Sequence, residues 1–195
     1  MKRNKKKLPP GLVSAEEPKV VEPSVAPVAG ITGCRIRRII GVDPGLAASG
    51  WGIVDFDNQR LIHIAHGCIE TRPDRSGSER LFYIYKAFCS VLDMYKPGES
   101  AIETLYFGRN ITSAMPVAEA RGVLAMALAE REIPVREFTP ALIKQAVVGR
   151  GAADKGQIQE MVRLILGLAV IPTPDHAADA LGAAVCCAHL SFLEV

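Results

Sequence analysis

Residues 39–56, IIGVDPGLAASGWGIVDF, constrain the fold more than any other stretch of this 195-residue chain. Ile39, Ile40 and Val42 form a short apolar run with no polar face, the pattern of a strand buried on both sides. Asp43-Pro44-Gly45 interrupts it, because proline fixes φ and glycine permits turn conformations. A second strand resumes at Gly50, with Trp51, Ile53 and Asp55 spaced to share one face. The stretch therefore reads as a β-hairpin whose first strand ends in a carboxylate. A carboxylate at the end of a buried strand is unfavourable unless something pairs with it, and a metal ion is one such partner. An Asx-type turn that merely closes the hairpin is the other reading of the motif.

The remaining elements follow from the same patterns. Strands are expected over residues 37–42, 50–56 and 60–71, joined as consecutive hairpins. Leu81, Ile84, Tyr85, Phe88, Val91 and Leu92 then mark a helix over residues 78–95, ended by Pro97-Gly98. Residues 100–103 form a short strand ending in Glu103, and the loop 104–111 carries two aromatics. A small-residue helix capped by Thr112 or Ser113 runs to about residue 131, and a fifth strand covers residues 134–138. Thr139-Pro140 opens a helix, residues 153–168 form another, and the last helix begins at Thr173-Pro174-Asp175. Three antiparallel strands followed by β-α units predict an α/β domain. Its five-stranded mixed sheet would carry helices on both faces.

Charge is unevenly distributed. Residues 1–35 hold seven Lys/Arg against three Glu, and the rest of the chain sixteen Lys/Arg against eighteen Asp/Glu. The body is therefore not uniformly basic, and any nucleic-acid contact must be a local patch. Residues 1–35 read as a disordered basic and Pro-rich tail, and residues 36–195 as the folded domain. Glu16, Glu17, Lys19 and Glu22 interrupt the apolar region that a signal peptide would need. Five cysteines, Cys34, Cys68, Cys89, Cys186 and Cys187, show no zinc-site spacing and suggest buried thiols in a reducing cytoplasm. With no run of 18 apolar residues, no membrane span is expected.

Acidic residues recur where elements end. Strand one ends in Asp43, strand four in Glu103, and the last helix opens with Asp175, His176 and Asp179. If strands one and four lie parallel and adjacent, both carboxylates leave the same edge of the sheet. His176 and Asp179 share a helix face, and Ala177, Ala178, Ala180, Gly182, Ala183 and Ala184 keep that helix thin enough to lie close. Oxygen ligands and one imidazole converging there suit Mg²⁺ or Mn²⁺. Two such ions about 3.5–4 Å apart suit in-line phosphodiester cleavage. Asp175 reads most simply as a helix N-terminal acid.

The motifs GVDPGL with GWG, AIETLYFGRN, ARGV, IKQAVVGRGAADK and DHAADAL occur in that order. Together they resemble the RuvC Holliday-junction resolvases, of the RNase H-like (retroviral integrase) superfamily, over about residues 37–190. The resemblance implies a homodimeric, Mg²⁺-dependent, cytoplasmic endodeoxyribonuclease, with Mn²⁺ able to substitute and two ions per active site. It implies paired symmetric nicks in four-way junction DNA during recombination and repair, together with a branch-migration motor complex. By position, Asp43, Glu103, His176 and Asp179 match the catalytic metal-binding set, His176 standing where many members have Asp. Tyr106 matches the loop aromatic that stacks near unpaired bases, a role Phe107 could share. Lys144 and Lys155 match basic residues that hold phosphates, and Arg109, Arg121 and Arg150 are further candidates for DNA-backbone contacts. Thr104 departs from the family, where Gln or a basic residue is frequent. The competing readings are an RNase H-like nuclease with another structured DNA or RNA substrate, an actin-like ATPase half, and a catalytically dead junction-binding scaffold. The second needs a second lobe, for which the chain is too short.

Overall fold

A computed structural model describes residues 36–104, 111–149 and 153–190, with backbone only for residues 111–113. The N-terminal tail, residues 1–35, lies outside this set. The chain runs β1 (Arg37–Asp43), β2 (Ala48–Asp57), β3 (Arg60–Glu70), α1 (Gly77–Tyr95), β4 (Glu99–Glu103), α2 (Ile111–Ala129), β5 (Val135–Phe138), α3 (Pro140–Val148), α4 (Lys155–Ile165) and α5 (Asp175–Leu190). The five strands form one sheet in the order β3-β2-β1-β4-β5. The three hairpin strands are antiparallel, and β4 and β5 add on in parallel, as the sequence pattern predicts.

The apolar run of β1 is central because it is buried on both faces. Ile39 and Ile40 are both fully buried, and they point to opposite sides of the sheet. Ile40, Val42, Ile53 and Ile102 pack under Ile84, Phe88 and Leu92 of α1 and Leu124 and Leu128 of α2. Ile39, Val54, Ala101 and Phe138 pack under Ile143 and Val147 of α3, Ile158 and Val162 of α4, and Leu181 and Val185 of α5. Asp55 lies on the α1 side with Trp51 and Ile53. Its two oxygens each accept from Arg38 at 2.8 Å, and a third Arg38 nitrogen donates to the Tyr95 carbonyl at 3.0 Å. That bidentate pairing satisfies a nearly buried carboxylate.

Several boundaries differ from expectation for local reasons. Helix α1 starts one residue earlier, because Ser76 and Glu79 form a reciprocal capping box across its first turn. Helix α2 begins at Ile111, so Thr112 and Ser113 lie inside it and are not its cap. Helix α4 is shorter than residues 153–168, because Asp154 caps it and starts it at Lys155. Thr139 caps α3 as predicted, its hydroxyl accepting from the Leu142 amide.

Helix α5 lies on the sheet with almost nothing between. Ala177, Ala178, Ala180, Ala183 and Ala184 are all buried. The strands beneath it answer with glycine. A Cβ on Gly41 of β1 would overlap the carbonyl oxygen of Ala180, and one on Gly50 of β2 would overlap that of His176. The bare backbone at these two positions fixes how close the start of α5 comes to the end of β1.

No disulfide joins the four described cysteines. Cys186 and Cys187 are buried in α5, whereas Cys68 and Cys89 are only partly buried. Among the described residues no helix is long and apolar enough to cross a membrane.

Candidate active site

The register of the sheet builds the first half of the site. In the parallel β1–β4 pair, Val42 stands opposite Ile102, so the next residues, Asp43 and Glu103, leave neighbouring strands at the same edge. The loop after Asp43 is held from both sides. Ser49 accepts from the Gly45 amide and donates to the Gly45 carbonyl, while Thr71 donates its hydroxyl to the Leu46 carbonyl at 2.6 Å. Thr104 extends the β4–β5 ladder by donating its amide to the Phe138 carbonyl.

Helix α5 supplies the second half. Its first turn brings His176 Nδ1 to 2.7 Å from Asp43 Oδ2. Placing the proton on Nδ1, the nitrogen with a carboxylate partner, leaves Nε2 open. Asp179, one turn along, raises the pKa of both Asp43 and Glu103 through its charge. The four residues singled out from the sequence therefore belong to one electrostatic neighbourhood at one end of the sheet.

That neighbourhood is rich in negative charge, and its two strand-end carboxylates, Asp43 and Glu103, are partly buried. Glu103 is pushed up to about 7, first by burial and then by the charges of Asp43 and Asp179, with Lys144 pulling the other way. Burial also raises Asp43, against the opposing hydrogen bond from His176. Carboxylates left in mutual repulsion at a sheet edge have the chemistry of a site for hard divalent cations, which take oxygen ligands and tolerate one imidazole. Asp43, Glu103, His176 and Asp179 fit such an ion by donor type. Among the described residues no three His, Cys, Asp or Glu side chains already stand as a ready cage for one ion. One oxygen of Asp179, Oδ2, is engaged by the Lys155 ammonium at 3.3 Å.

The basic candidates divide. Lys144, on α3, acts on Glu103. Lys155, the first residue of α4, pairs with Asp175 at 3.0 Å as well as with Asp179. Arg121 pairs with Glu137 of β5 at 2.5 Å. Tyr106, Phe107, Arg109 and Arg150 lie outside the described residues. Asp175 reads from the sequence as a helix-end acid. It does occupy the first turn of α5, but its carboxylate also reaches α4, accepting from Gln159 at 3.1 Å. The signal for that link is visible as two i,i+4 pairs, Lys155 with Gln159 and Asp175 with Asp179.

Comparison with known proteins agrees with this arrangement. The family model described as crossover junction endodeoxyribonuclease RuvC matches residues 39–187. A crossover junction endodeoxyribonuclease RuvC from Chloroflexus aurantiacus is 49% identical over 152 residues, covering 78% of this chain and 93% of that protein. The Treponema denticola protein of the same description is 52% identical over 147 residues, covering 75% and 83%. Among solved structures, Thermus thermophilus RuvC in complex with Holliday junction substrate superposes with a TM-score of 0.74 at 30% identity, covering 80% of this chain and 96% of the other. Carboxylates at the adjoining ends of β1 and β4, met by the start of a thin helix, thus occur in a chain that belongs to the RuvC family of crossover junction endodeoxyribonucleases, with the RNase H-like fold.

Proposed function

We propose that this chain resolves four-way DNA junctions as a homodimer, each protomer nicking one of two opposing strands with the help of divalent cations. The observation that carries the reading is the meeting of Asp43, Glu103, His176 and Asp179 at one sheet end, where burial first and the charges of Asp43 and Asp179 second lift Glu103 to about 7. Two Mg²⁺ ions, replaceable by Mn²⁺, would supply charge stabilisation at the scissile phosphodiester and a more acidic attacking water. Asp43 and Glu103, fixed side by side by the register of β1 and β4, would hold those ions. His176 keeps the Asp43 carboxylate in one orientation through its Nδ1–H, and Asp179 closes the set from α5. Hydrolysis breaks the P–O3′ bond and leaves a 5′-phosphate and a 3′-hydroxyl, ends that a ligase can rejoin.

The basic residues then serve the substrate. Lys144 and Lys155 flank the carboxylates and suit the non-bridging oxygens of the phosphate. Tyr106 and Phe107 are suited to stacking on unpaired bases, and Arg109 and Arg150 to DNA-backbone phosphates. Two nicks of like polarity need two sites related by symmetry. Helix α2 supports such a pairing. Met115, Glu119, Gly122 and Met126 lie exposed along one stripe at alternating spacings of four and three. The biological setting proposed is recombination and repair in the cytoplasm, alongside a motor complex that moves the branch point.

The test compares the full-length protein and its Asp43→Asn variant on a four-way junction, an RNA–DNA hybrid and a plain duplex, in Mg²⁺. The expected result is symmetric nicking of the junction by the natural protein, and junction binding without nicking by the variant. Nicking by Asp43→Asn at the natural rate, or preferential cleavage of the hybrid, would reject the reading.

A further inference from the structure

Helices α4 and α5 face each other at their N-terminal ends like a two-rung ladder. Lys155 and Gln159 stand one turn apart on α4, and Asp175 and Asp179 one turn apart on α5. Asp175 uses both of its oxygens. Oδ1 accepts from Gln159 Nε2 at 3.1 Å, and Oδ2 lies 3.0 Å from Lys155 Nζ. The same ammonium reaches Asp179 Oδ2 at 3.3 Å. Lys155 therefore stands between one carboxylate of the catalytic set and one outside it.

We propose that Asp175, held in place by Gln159, is a positioning residue that docks the Lys155 ammonium at the rim of the catalytic carboxylates. The inference rests on the reading of the site given under Proposed function. A lysine ammonium is a compact charge on a flexible stem, and an isolated exposed ion pair would hold it weakly. Asp179 alone is also an unreliable partner. Once that carboxylate turns to a divalent cation, the ammonium is repelled by the cation and has no anion to hold it. Asp175 is one turn away, does not belong to the catalytic set, and is itself fixed by Gln159. It gives Lys155 a standing place both before and after Asp179 is engaged, close to where a phosphate oxygen would need it. Without a cation, the same contact sets the ammonium against Asp179 as a built-in counter-ion, so Lys155 and incoming cations compete for that carboxylate.

The experiment is a double-mutant cycle in the full chain with Asp175→Asn, Lys155→Met and the pair. Single-turnover nicking and junction affinity would be measured on a four-way junction, and Mn²⁺ affinity by electron paramagnetic resonance without DNA. Asp175→Asn should slow nicking by about five- to twentyfold with junction affinity within about twofold, and Asp175→Glu should restore most of the rate. In the Lys155→Met background, Asp175→Asn should change nicking by less than about twofold, because contacts to a shared partner are not additive. Lys155→Met should tighten Mn²⁺ binding by at least about twofold through loss of the competing ammonium. Nicking by Asp175→Asn at the natural rate, or equal slowing with and without Lys155, overturns the docking role. If the natural protein does not nick junctions, the reading of the site has failed, and the Mn²⁺ cycle still decides the docking. Unequal effects of Asp175→Asn in the two backgrounds support it, and equal effects overturn it.

Discussion

His176 Nδ1 stands 2.7 Å from Asp43 Oδ2 although 133 positions separate the two residues in the chain. The contact joins the end of the central strand to the start of the last helix, so it reports whether the site is assembled. An oxygen donor at position 176 could serve the same cation, whereas a methyl group could not. His176→Ala should therefore lower junction nicking by about a hundredfold, and His176→Asp should retain Mg²⁺-supported nicking. Asp175→Ala should cost much less than His176→Ala. The reverse order in a nicking assay would make Asp175 the fourth member of the set.

The approach of α5 to the sheet is the second condition for assembly. A methyl group at Gly50 would occupy the space of the His176 carbonyl oxygen, and both are backbone-bound. Neither a rotamer change nor a small shift of a flexible side chain relieves that overlap. Gly50→Ala should destabilise the protein by about 3 kcal/mol and lower nicking beyond the fraction unfolded, because the helix must lift where it carries His176. A urea titration alongside a nicking assay at a temperature where the variant stays folded separates the two effects. Unchanged stability would mean that the helix does not seat there.

Glu103 carries the electrostatic strain of the site. Its carboxyl titrates at about 7 in the folded protein against 4.5 as the ordinary value. Between those values the folded state binds the extra proton, so stability falls as pH rises through this window, and the full penalty is present above 7. Glu103→Gln removes that penalty. In Mg²⁺-free buffer at pH 8 it should stabilise the protein by about 2 kcal/mol, the gain shrinking toward zero as the pH approaches 4.5. Adding Mg²⁺ should stabilise the natural protein more than the variant, because only the natural site offers the full set of carboxylates. A destabilised variant at pH 8 would contradict the repulsion.

The sequence exposed the parts of this molecule that depend on position along one element. Asp43 and Glu103 were legible because each closes an apolar strand, and Asp179 because a charge among alanines has no bland explanation on a buried helix. The alanines also announced a close-lying helix. What the helix lies on was not legible, because the need for glycine at positions 41 and 50 arises only where two distant segments cross. The same holds for Lys155. Family resemblance assigns it to phosphate, whereas its pairing with Asp175 and Asp179 is decided by how α4 and α5 dock. Arg121 likewise turned to Glu137 across a tertiary contact that no local pattern encodes.

The pair His63 and His66 was illegible for a different reason, and it yields the last prediction. Residues three apart on a regular strand face opposite ways. In β3, however, Ala65 pairs with Ile53 and His63 with Val54, so Ile64 is an extra residue and the strand bulges. The bulge turns both imidazoles to one side, with His63 Nε2 2.8 Å from His66 Nδ1. Burial pushes both rings down, His63 to about 4 with the charge of His66 adding to the effect. Below the ordinary value of 6.5 the unfolded chain takes up protons that the folded pair refuses, so stability declines as pH falls from 6.5 and levels off near 4. The loss across that window should be about 2 kcal/mol after allowance for partial solvent access. Glu103 shifts stability in the opposite direction over part of the same range, so the informative quantity is a difference between proteins. Urea unfolding at pH 7 and pH 5 should show the natural protein losing more stability on acidification than a His63→Gln, His66→Gln variant that keeps Glu103. Equal losses in the two proteins would mean that the imidazoles do not resist protonation in the folded state.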